Sequence, residues 1–463
     1  MNHLLKLIIA LMAVPACAQT DTRQISLPQS WVDYSLASDL RHLLVNTQTE
    51  QGKPSFTYMY DTGSGKALWK MNLTDYDGYE LLPTRYGALF TAPPTTRKPV
   101  TVLHDSDTGH RLYDLDIGTV FIDEALDIVI GYKSATSSSA ECHRLSTGEH
   151  LWTANISVSK SPRGWPNAVR TDDTHLLLVA NSLCLLNLTD GNTLTYDISI
   201  SRQIAQQGGV TVGAFWGGAI GGMVVGMSMQ YGGGNMMSGM HSNILVHEGR
   251  VYLSDRDALR QFDVHSLNLI WQHQFKPKTT SAATLVANGS ALIMINNGEA
   301  YVEGSPEPYG QLFVGEYAMA DGQEQSYTQL NYDWNTSRFS KPLTCLTDSA
   351  YYLEADRTIT LLTPRAGTLA VYDKNYNLLY IGFDDQITAQ YEVARLYQPI
   401  GTDGRHILIK CKQPEADRYL LIDQSQRNIC RTFAANVSDV RMQHNHLLTT
   451  MPDGHLTIET ITE

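Results

Sequence analysis

Three kinds of side-chain grouping in this chain have the types and spacing to do chemistry. His444-Asn445-His446 alternates as a strand would, putting two imidazoles on one face, the beginning of a metal site. No third ligand follows at a useful spacing, so a solvated strand face is the plainer expectation. Asp172-Asp173 and Asp384-Asp385 are paired carboxylates, which share acid and base work when held at the right separation. In turns between strands, where these fall, such residues instead cap backbone groups. Met227, Met229, Met236, Met237, Met240 and His241 are thioether and imidazole groups of the kind that select Cu(I), or simply flexible filler. There is no Gly-x-Ser-x-Gly elbow and no phosphate loop followed by Lys. No catalytic, cofactor-binding or metal-binding residue is assigned.

The elements that would position these groups announce themselves as a repeated phrase: an apolar strand, Asp or a substitute, a turn with Gly, then Leu and an aromatic. It runs from Tyr60-Asp61 through Gly63 and Gly65 to Leu68-Trp69, from Asp105 through Gly109 to Leu112-Tyr113, and from Arg144 through Gly148 to Leu151-Trp152. A fourth copy keeps Gly191 but ends in Leu194-Thr195. Looser copies end at Trp271, Ser326, Tyr380 and Arg431, with Asp321-Gly322 supplying the turn of the sixth. Gly provides the positive φ that a tight turn needs, and Asp or Asn bonds its own turn backbone. A hairpin alone is marginal in water. A buried Trp, worth roughly 4–6 kcal/mol as an upper estimate, can dock one unit on the next. Gly65, Trp69, Gly109, Tyr113, Gly148, Trp152, Gly191, Trp271 and Tyr380 are therefore expected to form blade contacts. Ala88–Thr91, His175–Val179, Arg250–Leu253 and His406–Ile409 read as inner strands. Four-stranded units repeating every 40–50 residues or so mean an all-β fold, a β-propeller over 24–463. Eight blades are expected, with seven the alternative.

The Asp-x-x-Thr-Gly-x-x-Leu-Trp phrase resembles the repeat of pyrroloquinoline-quinone-type propellers, most sharply over residues 60–152. That group includes quinoprotein dehydrogenases and the propeller lipoprotein of the outer-membrane β-barrel assembly machine. The dehydrogenases imply a quinone on a Trp floor, a Ca²⁺ and a disulfide between adjacent cysteines. This chain has no adjacent Cys pair, and packing accounts for Trp69, Trp152 and Trp271. The resemblance thus points to the non-enzymatic envelope scaffolds and away from a quinone cofactor; fold alone does not fix activity.

One segment breaks the pattern. Residues 203–247 contain no Asp, Glu, Lys or Arg. Within them Gly209, Gly213, Gly217 and Gly221 recur every four residues, a stripe along one face if helical. Such a glycine zipper lets helices approach closely in lipid, and Val210–Met229 would be long enough to cross a bilayer. Phe215, Trp216, Met223, Val224 and Val225 are an odd set to leave in water. A flexible Gly-rich surface insertion is the other reading, since Gly costs about 1 kcal/mol per residue inside a helix. Membrane or self-contact is accordingly assigned to 208–240 as a candidate.

Bulk composition sets outer limits. The net charge of −13 repels phosphate backbones and anionic membranes, which argues against nucleic-acid partners. Lys6, the apolar run Leu7–Val14 and Ala16-Cys17-Ala18 read as an export signal over 1–18. Cleavage after Ala18 gives a soluble periplasmic or secreted product; lipidation of Cys17 in Val14-Pro15-Ala16-Cys17 gives an envelope-anchored one. Export permits disulfides, and Cys411 with Cys430, on successive strands, is the plausible bridge. Cys184, in an apolar run, reads as a buried small hydrophobe. The expected function is binding of protein partners by a scaffold at the cell envelope. The alternatives are a quinone-dependent or other propeller enzyme and a membrane-associating or self-associating protein.

Overall fold

The computed structural model describes residues 22–461 apart from 157–164, 199–221, 225–240 and 330–349 and breaks of six residues or fewer; over 350–399 only backbone strands are described. Seven sheets contain four consecutive antiparallel strands and an eighth contains three; they are termed blades 1–8: 31–72, 80–115, 118–154, 168–196, 245–274, 283–329, 397–432 and 439–460. Blade 8 takes its fourth strand from the other end of the chain, where Arg23–Ser26 pairs antiparallel with His455–Thr460. The phrase cannot reveal this blade, because its outer strand precedes every repeat. Two smaller sheets, of two and three strands over 350–392, lie between blades 6 and 7 in the chain. Among the described residues the helical content is one 3₁₀ turn, Thr74–Tyr76.

Side-chain patterning decides each strand's place. Central strands such as Gly87–Thr91 and Ile128–Tyr132 are buried along their whole length, since both faces are covered. Outer strands such as Lys66–Asn72 alternate with exposed residues. Among the described residues, seven apolar cores each straddle two neighbouring blades. The cores between blades 3 and 4 and between 4 and 5 leave blade 4 packed on both sides. The others lie between blades 5 and 6, 8 and 1, 7 and 8, 2 and 3, and 1 and 2. The first strands of adjacent blades approach one another, through a parallel bridge from Ser242 to Ala283 between blades 5 and 6. Sheets that pack face to face while their first strands converge form a β-propeller, as the repeat predicted.

Three expectations need correcting. His444 and Asn445 do not continue a strand: both have positive φ and form the two-residue turn between Asp439–Gln443 and His446–Thr450. Their histidines go to separate carbonyls, His444 Nε2 at 3.2 Å from Leu36 O and His446 Nδ1 at 2.7 Å from His444 O. The Cys411–Cys430 bridge does not form, and Cys430 carries a thiol. Cys411 pairs with Arg418 whereas Cys430 lies beside Leu421 and Ile422, roughly 10 Å farther along the strands and two strands across. A disulfide needs Cα atoms within about 7 Å. Third, the helix considered over Val210–Met229 is not continuous. Gly222–Val224 is extended and adds a fifth strand to blade 3 by pairing with Phe121–Asp123. Glycine's poor helix propensity and the open edge of the first strand account for this. Cys184 is buried as read, and burial pushes its thiol up to about 12.

Candidate functional site: the turn rim and its blade junctions

The phrase places its glycine and its aromatic in adjacent blades. The ring on the outer strand of one blade lies against the turn glycine of the next. A Cβ on Gly109 would sit 2.9 Å from the Trp69 ring; on Gly148, 2.8 Å from Tyr113; on Gly191, 2.7 Å from Trp152; on Gly322, 2.4 Å from Trp271. These glycines have φ of 71°, 77°, 76° and 73°. Glycine is therefore required twice over, for the dihedral and for the space. Each ring also donates to the carbonyl three residues before its glycine. Trp69 Nε1 bonds Ser106 O at 2.7 Å, Trp152 Nε1 bonds Leu188 O at 3.0 Å, Trp271 Nε1 bonds Met319 O at 3.0 Å, and Tyr113 OH bonds Leu145 O.

The Leu before the ring has a job as well. In blade 1 Met59 faces Trp69 and Tyr60 faces Ala67, which leaves Leu68 as an extra, bulged residue. Leu112, Leu151 and Ile270 hold the same bulge in blades 2, 3 and 5. A bulge re-aims the next side chain, here turning the ring toward the neighbouring blade. Two of these bulged residues stay in water: Leu112 is 49% and Ile270 43% exposed.

Other junctions depart from the rule, among them those from blade 8 to blade 1 and from blade 7 to blade 8. Gly65 of blade 1 faces blade 8, which offers no ring; a Cβ there would meet Gln24 O at 2.7 Å. Arg23 takes the ring's place, donating to Leu40 O at 2.7 Å and to Thr62 Oγ1 at 2.9 Å. From blade 7 to blade 8 the ring position is Arg431, paired with Glu459. Tyr380 lies on the strand Asn377–Gly382, and its side chain is outside the described residues.

A second repeated device was not singled out in the sequence, although Asp-x-x-His is visible there once blade starts are known. Asp39 and His42, Asp172 and His175, and Asp403 and His406 occupy the first hairpins of blades 1, 4 and 7. Each carboxylate accepts from its histidine's backbone N–H, and each histidine's Nδ1 lies 2.6, 3.0 or 2.8 Å from the same carboxylate. Burial raises the Asp172 carboxyl, but the Thr174 N–H and the His175 and Thr174 side chains outweigh it and hold it down to about 2. Asp172 is thus a turn cap. In blade 1 the network spreads across the junction, with Arg41 bonding Asp61 at 3.1 Å and Asp107 of blade 2 at 2.8 Å.

Nearer the first strands the junctions are tied by amides. Asn167 donates to Ser242 O and accepts from Ile244 N, joining blades 4 and 5. Asn243 donates to Leu285 O and accepts from Leu285 N, joining blades 5 and 6. Trp165, 1% exposed, donates to Tyr132 OH at 2.8 Å inside the core of blades 3 and 4.

Of the residues assigned to partner or membrane contact, Gly209, Gly213, Phe215, Trp216, Gly217, Gly221 and Val225 lie outside the described residues. Met223 and Val224 are described as backbone only, in the added strand. The methionines of the soft-metal grouping and the Asp384-Asp385 pair are likewise outside. His241 is buried, with Nδ1 2.8 Å from Ser242 O, and burial lowers its pKa. Among the described residues no helix is long and apolar enough to cross a membrane.

No protein-family description and no curated protein matches this chain by sequence. Solved structures of similar architecture include BamB from Moraxella catarrhalis, at 13% identity over 94% of this chain and 98% of that one, TM-score 0.37. The WD40 domain of SCAP from fission yeast shares 6% identity over 96% and 98%, TM-score 0.37. Apo AztD from Citrobacter koseri shares 10% over 90% and 95%, TM-score 0.33. At these scores the fold rests on this chain's own sheets and cores.

Proposed function

We propose that this chain is an exported, non-enzymatic scaffold of a bacterial-type cell envelope, of the quinoprotein-like kind, that holds protein partners on the outer strands of its blades. The observation that supports this is the pair of aliphatic side chains left in water at one repeated position, Leu112 and Ile270. Their exposure follows from the bulge that aims the docking rings, so an apolar feature is presented at a fixed place on a rigid body. Apolar anchors spaced among polar residues suit a protein partner better than a small substrate. The carboxylates of the rim, meanwhile, serve as turn caps and blade ties.

The test is site-specific photocrosslinking in living cells, with the photoreactive residue at position 112 or 270 of the full chain. Discrete adducts are expected from each position, those from 112 weakened by Ile270→Lys and those from 270 by Leu112→Lys, with thermal stability unchanged. Absence of discrete adducts from both positions would refute partner binding by this surface. The same strain carrying a deletion of 208–240 tests the insertion: unchanged envelope partitioning excludes membrane contact through that segment.

A further inference from the structure

Blade 7 repeats the rim arrangement of blade 1 with one substitution that changes its chemistry. Both enter their second strand through Arg-His, Arg41-His42 and Arg405-His406, with the histidine as first strand residue, and both end their third with Asp, Asp61 and Asp423. In each the arginine Nε bonds that aspartate, at 3.1 Å in blade 1 and 3.0 Å in blade 7. The bulged residue of the fourth strand is Leu68 in blade 1 and Cys430 in blade 7. A nitrogen of His406, a carboxylate oxygen of Asp423 and Sγ of Cys430 all lie within 4.8 Å of one another. His406 and Asp423 are 6% and 3% exposed, while Cys430 opens to solvent.

We propose that His406, Asp423 and Cys430 bind a divalent transition-metal ion, of which zinc fits best, with solvent as the fourth ligand. The donor set is the imidazole, carboxylate and thiolate mixture that tetrahedral zinc takes. Zinc bonds of about 2.0–2.3 Å place donors roughly 3.3–3.8 Å apart, so the cluster has only to tighten slightly. Asp403 completes the arrangement. Its Oδ2 lies 2.8 Å from His406 Nδ1 and would orient the ring as the outer partner of a metal-bound histidine does. Arg405 Nε bonds Asp423 at 3.0 Å and fixes its carboxylate beside the cluster. On binding, the Cys430 thiol gives its proton to water and the metal–sulfur bond replaces the S–H bond. The open face and the solvent ligand leave room for exchange of the ion.

The exported full chain, purified metal-free, would be titrated with Co²⁺. The proposal expects one ion per chain, a near-ultraviolet thiolate-to-cobalt charge-transfer band, intense visible bands of tetrahedral cobalt, and displacement by Zn²⁺. Cys430→Ser abolishes the charge-transfer band, whereas Cys411→Ser and Cys184→Ser retain it. Asp403→Asn keeps the band but weakens affinity about 10- to 100-fold. Zn²⁺ also slows alkylation of Cys430. A wild-type chain without the band, or a band that survives Cys430→Ser, overturns the proposal. Cys430 is exposed, so its variant leaves the blade's packing intact and a negative result cannot be blamed on misfolding.

Discussion

Two neighbouring junctions meet one packing requirement in opposite ways. Between blades 3 and 4, the bulge at Leu151 aims Trp152 onto Gly191, whose φ of 76° leaves a flat surface for the ring. Between blades 4 and 5 all three parts are absent together. The outer strand of blade 4 pairs without a bulge, so Leu194, opposite Leu185, stands at the ring position, and the turn of blade 5 carries Leu267 where a glycine would be. Leu267 adopts φ 51°, its N–H bonds Asp263 O at 3.0 Å as the turn glycines bond their own aspartates or substitutes, and it is 4% exposed. The volume of the missing indole is made up by a leucine arriving from the other side, with Tyr196 against Phe262 at 4.7 Å between centroids. At these two junctions ring, bulge and glycine are kept or lost together.

The largest effect expected from breaking this comparison is at Trp152. Trp152→Ala removes a 7% exposed indole and its bond to Leu188 O and is expected to destabilise the chain by about 3–5 kcal/mol. Leu194→Ala, at the equivalent place one blade on and 47% exposed, should cost no more than about 1 kcal/mol. Urea unfolding of both variants measures the contrast. Equal costs would mean that the ring does not hold the junction.

The comparison is sharpened by rebuilding the missing unit. Leu267→Gly alone loses a buried leucine, at about 2–4 kcal/mol after roughly 1 kcal/mol of relief from the left-handed backbone. Leu194→Trp alone meets Leu267 and is also destabilising. Together they place a ring over a glycine, and a favourable coupling of about 1–2 kcal/mol is expected in a double-mutant cycle. Strict additivity would show that the two positions do not share one space.

Much of the fold was legible because glycine and tryptophan are demanding residues. Gly109, Gly148 and Gly191 each satisfy a dihedral and a contact at once, so their spacing records the blade period. The blades without that unit were harder to see. Blade 8 is assembled from both ends of the chain and docks through Arg23, a residue whose role no local pattern discloses. His444-Asn445 was misread because alternation is also what a two-residue turn between strands looks like; the positive φ of both residues is a tertiary outcome. The cysteine bridge was misread because successive strands were treated as if register did not matter. His406, Asp423 and Cys430 are dispersed over 25 residues, and only strand pairing brings them together.

The smallest expected effect separates two histidines in adjacent blades that titrate in opposite directions. Burial disfavours charge on His42, but Asp39, with Oδ2 2.6 Å from Nδ1, and Asp107, 3.3 Å from Nε2, outweigh it and raise its pKa above 6.5. His104 is buried too, and although Gly109 O lies 3.1 Å from Nδ1, burial prevails and lowers its pKa below 6.5. The stabilisation from His42 is complete below pH 6.5 or so and disappears as the pH rises through its raised folded value. For His104 the neutral ring is the stable form, so its contribution is present above its unfolded pKa and lost as the pH falls through the lowered one. His42→Gln should therefore flatten the alkaline side of a plot of melting temperature against pH, and His104→Gln the acid side, each by less than about 2 °C. If both variants flatten the same side, the Asp39–His42–Asp107 tie between blades 1 and 2 is not ionic.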